Sequence, residues 1–413
     1  MSDDRRRLMC RIAFVVCCAL PTILVANWIL FPRSTAQWQT LARQTLGCRV
    51  AIASIATPTP NEVRFHQFRI LNAQMQPLVD MRTVDLSQSL DGYVLTLSPI
   101  EQTLGQVTGL LQNLAEQLPK MDWKSGTTTV QIQRLTIRSD IEGATTEHCF
   151  VAKDCLMQIE PRGTQTRVVI EFRSDVADAT RIRWELQFGD PSQPEQWTLD
   201  TSNGLLPCWL LAKVWPAAQS LGNDCWFSGI LKCERSDSHV AYDVQDLRLV
   251  NLDVPKMLCD VCGTRRETMP IAASTGSQFE AIVKNGRVIN GRLDSLLCQI
   301  HCPSGGYFDP SWLLTTKKWL QVDVVEPINT ASVEFAKLLV GFEIRDGELF
   351  VWGDSNNGLI AVDPNQRPLI VATPASQRLS PQCLAGWFSG VDQIQIPVSS
   401  AAQQMLSHLP LVR

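Results

Sequence analysis

The feature that most constrains the fold is an alternation of apolar and polar residues in short segments. It is clearest at Arg181–Phe188, where Ile182, Trp184 and Leu186 alternate with Arg183, Glu185 and Gln187. Successive side chains of a β-strand point to opposite faces of its sheet, so this pattern predicts a strand with one apolar and one polar face. The same pattern predicts further strands at Val130–Ile137 and Arg167–Phe172.

The apolar phase of these strands is expected to line one face of the sheet as an apolar groove. The expected groove residues are Ile132, Val168, Ile170, Phe172, Ile182, Trp184 and Leu186. Arg183, Glu185 and Gln187 are expected to point to water. Leaving apolar surface wet costs about 25 cal/mol per Å². Another sheet, the helix predicted at residues 100–118 or lipid acyl chains must therefore cover this face.

Helical patterns interrupt and flank the strands, so we expect a mainly β fold with helical inserts. The expected helices are Ser34–Leu46, inserts at about 100–118 and 205–218, and terminal helices at about 381–389 and 400–408. Asn285-Gly286 and Asp346-Gly347 have the composition of tight hairpin turns. No low-complexity linker interrupts residues 47–413, which predicts one continuous, mostly antiparallel sheet system.

The N-terminal region has the pattern of a membrane anchor. Residues 12–32 carry no charge and are about as long as a bilayer core is thick. Four arginines precede this run, so residues 1–11 are expected in the cytoplasm as a short tail. Residues 34–413 would then lie outside it. The alternative is a cleaved signal peptide, although its apolar region is normally 7–15 residues long.

Charge and motifs narrow the function classes. The net charge is −4, and the first 33 residues contribute +3, which leaves −7 for the rest. An acidic body repels phosphate backbones, so nucleic acid is not an expected partner. The common sequence motifs of hydrolases, metalloproteases and nucleotide-binding enzymes are missing from the sequence. We therefore expect no catalytic residues, no cofactor and no metal, and the sequence identifies no protein partner.

The chain has 14 cysteines, of which 11 follow the predicted anchor. In an oxidising compartment, closely spaced cysteines favour local disulfides. We expect Cys149 to pair with Cys155, and Cys225 with Cys233. Three alternatives stay open. The cysteines could be buried free thiols, they could carry redox chemistry, or a zinc site could form from Cys259, Cys262, Cys298, His301 and Cys302.

The opening of the β-region resembles AsmA-type proteins. The resemblance rests on Gly47-x-x-Val50-x-Ile52-x-x-Ile55-x-x-Pro58-x-Pro60-x-x-Val63-x-Phe65, which follows the predicted anchor and a short helix. Members of that family are anchored in the inner membrane and contain a long, strongly curved β-sheet. They are related in architecture to bridge-like lipid-transfer proteins. The resemblance implies a single-pass inner-membrane protein with a periplasmic β-domain and no catalytic residues.

Three functions are consistent with these observations. The first is lipid handling, lipid transfer or envelope biogenesis, with lipid acyl chains on an apolar sheet face. The second is a non-catalytic anchored scaffold or binding module, which would carry no bound lipid. The third is a hydrolase of envelope glycans or lipids, which would need a cleft with perturbed carboxylates.

Overall fold

The structure is a computed structural model. The residues that it describes are 35–46, 49–59, 61–71, 75–89, 92–107, 109, 127–140, 148–162, 165–176, 180–188, 195–201, 204–212, 216–236, 239–254, 256–257, 271–274, 278–290, 292–324, 331–354 and 358–389. They form a mainly β structure, with a long, mostly antiparallel sheet and few helices, as the alternating patterns predict.

The helices are α1 (Thr35–Leu46), α2 (Pro310–Leu320) and α3 (Gln382–Ser389), with short 3-10 helices at Cys208–Leu211, Pro216–Leu221 and Pro374–Ser376. The strands up to residue 200 are β1 (Arg49–Ala51), β2 (Ser54–Thr59), β3 (Glu62–Leu71), β4 (Pro77–Ser89), β5 (Gly92–Leu97), β6 (Ile100–Thr103), β7 (Thr127–Arg138), β8 (Cys149–Arg162), β9 (Gln165–Ser174), β10 (Arg181–Phe188) and β11 (Glu195–Asp200). The later strands are β12 (Leu206–Pro207), β13 (Trp226–Arg235), β14 (Val240–Leu252), β15 (Ile271–Ala273), β16 (Phe279–Ile289), β17 (Arg292–Cys302), β18 (Gly306–Phe308), β19 (Asp323–Val324), β20 (Val333–Phe335), β21 (Lys337–Arg345), β22 (Glu348–Trp352), β23 (Leu359–Val362) and β24 (Pro368–Val371).

The described residues fall into two compact units. The first unit lies within Met1–Ile137 and Val151–Val168, and the second within Arg138–Phe150 and Val169–Arg413. In the first unit β1 and β2 both pair with β3, which continues through β4 to β5 in antiparallel order. The pairing of β5 with β7 is parallel. Phe65 and Val84 are at the centre of this unit's core, and Trp38 of α1 packs edge-on against Phe65 at 5.2 Å.

The second unit contains an antiparallel sheet in which most neighbours in space are also neighbours in the chain. Its strands pair in the order β10, β11, β13, β14, β16, β17 and β21. Beyond these, β22 and β23 both pair with β21, and β24 links β23 to β19. A separate three-stranded sheet is formed by β15, β18 and β20.

Helix α2 begins at a well-defined cap. The carboxylate of Asp309 accepts hydrogen bonds from the amides of Ser311 at 2.8 Å and Trp312 at 3.4 Å, and Pro310 occupies the first turn. These contacts satisfy amides that have no partner within the helix. The helix ends at Leu320, and its C-cap Gln321 has a φ of 50°, in the left-handed region. The helix buries Trp312 and Leu320, among others.

Several expected elements are found, and others are displaced. Strand β10 has the expected bounds, α1 and α3 lie within the expected helical segments, and Asp346-Gly347 forms the turn between β21 and β22. Asn285-Gly286 is not a turn. It lies inside β16 at a register shift, and β16 continues to Ile289 because it pairs along most of β14.

The two expected helical inserts also differ from expectation. Residues Ile100–Thr103 form β6, and a helical turn begins only at Leu104. Most of the rest of the 100–118 segment lies outside the described residues. The 205–218 insert consists of β12 and the two 3-10 helices that follow it, because Pro207 and Pro216 break regular helical hydrogen bonding.

The expected anchor at residues 12–32 and the helix at 400–408 also lie outside the described residues. Among the residues that are described, no helix is long and apolar enough to cross a membrane.

Candidate functional site

One face of the second unit's sheet carries two neighbouring rows of residues that are apolar except for Gly286. Directly opposed residues of antiparallel strands point to the same face, so the strand register defines both rows. We call their members the apolar lane. The first row is Leu186, Trp197, Cys233, Tyr242, Val288 and Leu293, and the second is Trp184, Leu199, Leu231, Val244, Gly286 and Leu296.

The apolar lane is only partly covered. Among its residues only Leu199 and Cys233 are buried, and Tyr242 is 45% exposed. The lane crosses six strands, which are about 4.8 Å apart, so its length is about 24 Å. It is a long apolar strip of partly exposed side chains.

The opposite face of the same strands is polar. Lys232 reaches Gln245 at 3.5 Å, and Arg287 forms an ion pair with Asp243 at 3.5 Å. These residues alternate with lane residues along β13, β14 and β16. The sheet therefore separates an apolar surface from a charged one across the thickness of a single layer.

Three lane residues from neighbouring strands form a small cluster that is joined by hydrogen bonds. The Cys233 thiol is hydrogen-bonded to Trp197 and Tyr242, which oppose it in the register. Burial raises the pKa of Cys233, against the opposing effect of these hydrogen bonds. Burial also raises the pKa of Tyr242, and the nearby Cys233 adds to this. At neutral pH the cluster is therefore uncharged, which suits an apolar surface.

Farther along β16 and β17, α2 and α3 cover the same face of the sheet. Trp387 of α3 lies 5.2 Å from the Trp312 ring and 5.4 Å from the Phe342 ring of β21. The indole N–H of Trp387 donates to Thr316 Oγ1 at 3.0 Å, and the Thr316 hydroxyl donates to the Trp312 carbonyl oxygen at 2.8 Å. These contacts tie the two helices together over the sheet.

A cavity of about 30 Å³ remains beneath the helices. It is lined by Val254, Met257, Ile271, Phe279, Ile300, Phe308, Trp312, Thr316, Leu320, Leu338, Val340, Ile360, Ile370 and Trp387. A space of this size holds about one water molecule and no acyl chain. The part of the sheet beneath α2 and α3, which we call the closed end, is thus a packed core. The apolar lane is the candidate binding surface.

The expected groove residues are divided between the two units. Ile132 packs against the core of the first unit, and Val168 lies in the same unit. The other five expected groove residues lie in the second unit. Trp184 and Leu186 belong to the apolar lane. Ile182, on the same face of β10, is fully buried. The two expected groove residues of β9, Ile170 and Phe172, are half-buried.

The expected polar side of β10 is present. Arg183 forms ion pairs with Glu171 at 3.5 Å and with Glu185 at 3.1 Å, and Gln187 donates to Glu185 at 3.1 Å. Arg183 is exposed and the other two are half-buried.

Neither expected disulfide is within reach. Cys149 and Cys155 lie six positions apart on β8, which separates them by about 20 Å at 3.3 Å per residue. Cys225 immediately precedes β13, and Cys233 lies eight positions later on that strand, at a similar or larger separation. Disulfides require Cα atoms within about 7 Å. Both pairings are therefore wrong, because residues expected in a short loop lie along an extended strand.

The zinc alternative is not supported by the residues that can be placed. Cys298 and Cys302 lie on one face of β17 and His301 on the other, so the three cannot share one ion. Cys259 and Cys262 lie outside the described residues. No group of three or more His, Cys, Asp or Glu side chains in the described part of the chain is placed to hold a metal ion.

Sequence reasoning missed α2, which covers the closed end. Asp309-Pro310 is a strong start signal, since aspartate is a preferred cap and proline is favoured in the first turn. Trp312, Thr316 and Leu320 then recur at helical spacing.

No family model matches the chain, and no curated protein matches it either.

Proposed function

We propose that this chain is a membrane-anchored envelope protein that binds lipid acyl chains along the apolar lane and so handles or transfers lipid without catalysis. Residues 12–32 would anchor it in the inner membrane, with residues 1–11 inside and the β-units outside. Protease added to spheroplasts should then digest the β-units, and a protected chain would contradict this topology.

The observation that carries the proposal is the combination of length, continuity and partial exposure in the apolar lane. Ten of its twelve residues are incompletely buried, although exposed apolar surface is costly. Its length of about 24 Å is close to the thickness of a bilayer's hydrocarbon core. An extended acyl chain fits such a strip along its length, and each methylene removed from water contributes about 0.8 kcal/mol.

The small cavity at the closed end supports lipid binding on the surface of the sheet and not inside the core. The cavity beneath α2 and α3 is too small for a hydrocarbon chain, so lipid would not enter the core. The polar face opposite the lane carries ion pairs and is unsuited to acyl chains. An acyl chain would therefore lie across the strands on one side of the sheet.

A photo-crosslinking experiment tests this proposal. A benzophenone amino acid is placed at Val244 in the lane or at the adjacent Gln245 on the polar face, in the full-length chain. The cells are grown with radiolabelled fatty acid and irradiated before the protein is purified. We expect labelled lipid on the Val244 variant at least tenfold above the Gln245 variant, because neighbouring strand residues face opposite sides.

A second matched pair is Leu231 and Lys232 on β13, which face the lane and the polar side respectively. Unmodified protein purified in mild detergent should also yield bound lipid by mass spectrometry. Equal labelling within both pairs, together with an absence of bound lipid, would refute acyl-chain binding. The scaffold function would then be favoured, with the lane as a contact surface for protein.

A further inference from the structure

Cys208 and Cys225 are brought together although 16 residues separate them in the chain. Pro207 of β12 is opposite Trp226 of β13, and the same register places Cys208 opposite Cys225. The Cys208 amide donates to the Cys225 carbonyl oxygen at 2.8 Å. The Cys208 thiol donates to the Cys225 sulfur, and the two Sγ atoms are 3.2 Å apart.

This geometry suits a covalent bond. Directly opposed residues of antiparallel strands have Cα atoms about 4.5–5.5 Å apart, and disulfides span about 4.4–6.8 Å. The sulfur atoms would need to approach by only about 1 Å to reach bonding distance. We propose that Cys208 and Cys225 form a structural disulfide when the chain folds in an oxidising compartment.

The chemistry is thiol–disulfide exchange with a disulfide oxidant. One cysteine thiolate attacks the oxidant, forms a mixed disulfide and releases one thiol. The second cysteine then attacks the mixed disulfide at the first cysteine's sulfur and displaces the other half of the oxidant. Both cysteines lose a proton and together transfer two electrons, and the oxidant becomes two thiols.

The bond would fix the ends of the segment 209–224, which contains most of the first 3-10 helix and all of the second. Trp209 and Ala218 of this segment are buried. The Leu221 carbonyl oxygen accepts from the Asp253 amide at 2.9 Å, and the Gln219 carbonyl oxygen accepts from Lys256 Nζ at 2.6 Å. The segment is therefore packed against the rest of the second unit, and a disulfide that joins its two ends would oppose its opening.

Burial decides when the bond forms. Both cysteines are fully buried, and the hydrogen bond between the thiols, followed by burial, raises the pKa of Cys208. A neutral, inaccessible thiol exchanges slowly. Oxidation therefore occurs while the segment is still open during folding, and the finished bond is shielded from reductants.

Differential alkylation of the full-length chain tests the disulfide. The reduced, denatured protein is refolded in detergent with a mixture of oxidised and reduced glutathione, quenched with acid and denatured. One alkylating reagent is applied before reduction and an isotopically heavy one afterwards. Peptide mass spectrometry should find Cys208 and Cys225 only with the heavy label, and a linked peptide pair before reduction. Cys155 and Cys233, which are buried and bonded to no other cysteine among the described residues, should carry the light label.

Variants identify the partner. Cys208→Ser should make Cys225 react with the light reagent, and Cys225→Ser should do the same for Cys208, while Cys233→Ser should leave the bond intact. Labelling occurs after denaturation, so every thiol is accessible to the reagent. The wild-type labelling pattern tests the disulfide by itself, so the test does not depend on the stability of a variant. Light labelling of both cysteines in wild type, or a bond from either to another cysteine, would overturn the proposal. This outcome is independent of whether the lane binds lipid.

Discussion

Replacing Thr316 by valine should loosen the packing of α2 against α3. The side chains have nearly the same shape, but valine cannot accept the hydrogen bond that the Trp387 indole donates at 3.0 Å. Trp387 is 6% exposed, so water would not readily replace the lost partner. A buried donor left without a partner costs about 1–3 kcal/mol. For a body of this size, this corresponds to a melting temperature lower by roughly 2–12 °C.

Thr315→Val is the matched control for this prediction. Its hydroxyl donates to the Ser311 carbonyl oxygen one turn away, at 3.1 Å, and this oxygen also accepts the helical amide bond. Threonine and valine have similar helix propensities, so we expect only a small change. The assay is thermal unfolding of the full-length chain in detergent, followed by circular dichroism. If Thr315→Val and Thr316→Val are equally stable, the bond between Thr316 and Trp387 does not stabilise the closed end.

Two further predictions concern a helix cap and a thiol. Asp309→Ala should lower the unfolding free energy by about 1 kcal/mol, because two amides of α2 lose their acceptor, while Asp309→Asn should stay close to wild type in the same thermal assay. Burial raises the pKa of Cys155 to about 12, so iodoacetamide at pH 8 should modify Cys155 of the folded chain far more slowly than exposed Cys149, as followed by mass spectrometry. The neutral thiol's contribution to stability is present below about pH 9 and is lost as pH rises towards 12. Similar alkylation rates, or no cost from removing the cap, would contradict these arguments.

Local patterns were sufficient to predict individual strands. Strand β10 has the predicted bounds because its alternation of Ile182, Trp184 and Leu186 with polar residues needs no information from other strands. Asn285-Gly286 shows the limit of such reasoning. The dipeptide suits a turn, but pairing along β14 extends β16 beyond it, and the dipeptide is accommodated as a register irregularity. Tertiary pairing here overrides a local preference.

The candidate site could not be predicted in the same way, because it depends on which strands become neighbours. Leu231 and Val244 are lane partners only through the pairing of β13 with β14. Cys208 and Cys225 meet because β12 folds back on β13, whereas their spacing in sequence gives no such signal. Sequence reasoning paired Cys225 with its nearer neighbour Cys233. Register across a sheet is long-range information that residue spacing along one chain does not contain.

The change from buried to partly exposed apolar residues along one strand is the strongest argument for the lane as a functional surface. Along β17, Ile300 lines the closed cavity, whereas Leu296, on the same face, belongs to the partly exposed lane. The apolar phase therefore continues past the point where α2 and α3 stop covering it. Stability alone would favour polar residues there, because wet apolar surface costs about 25 cal/mol per Å² and promotes aggregation. The same phase continues across β14 and β10, so the exposure is a property of the whole sheet and not of one strand. The acyl-chain proposal accounts for this surface, because it places an apolar occupant across the strands.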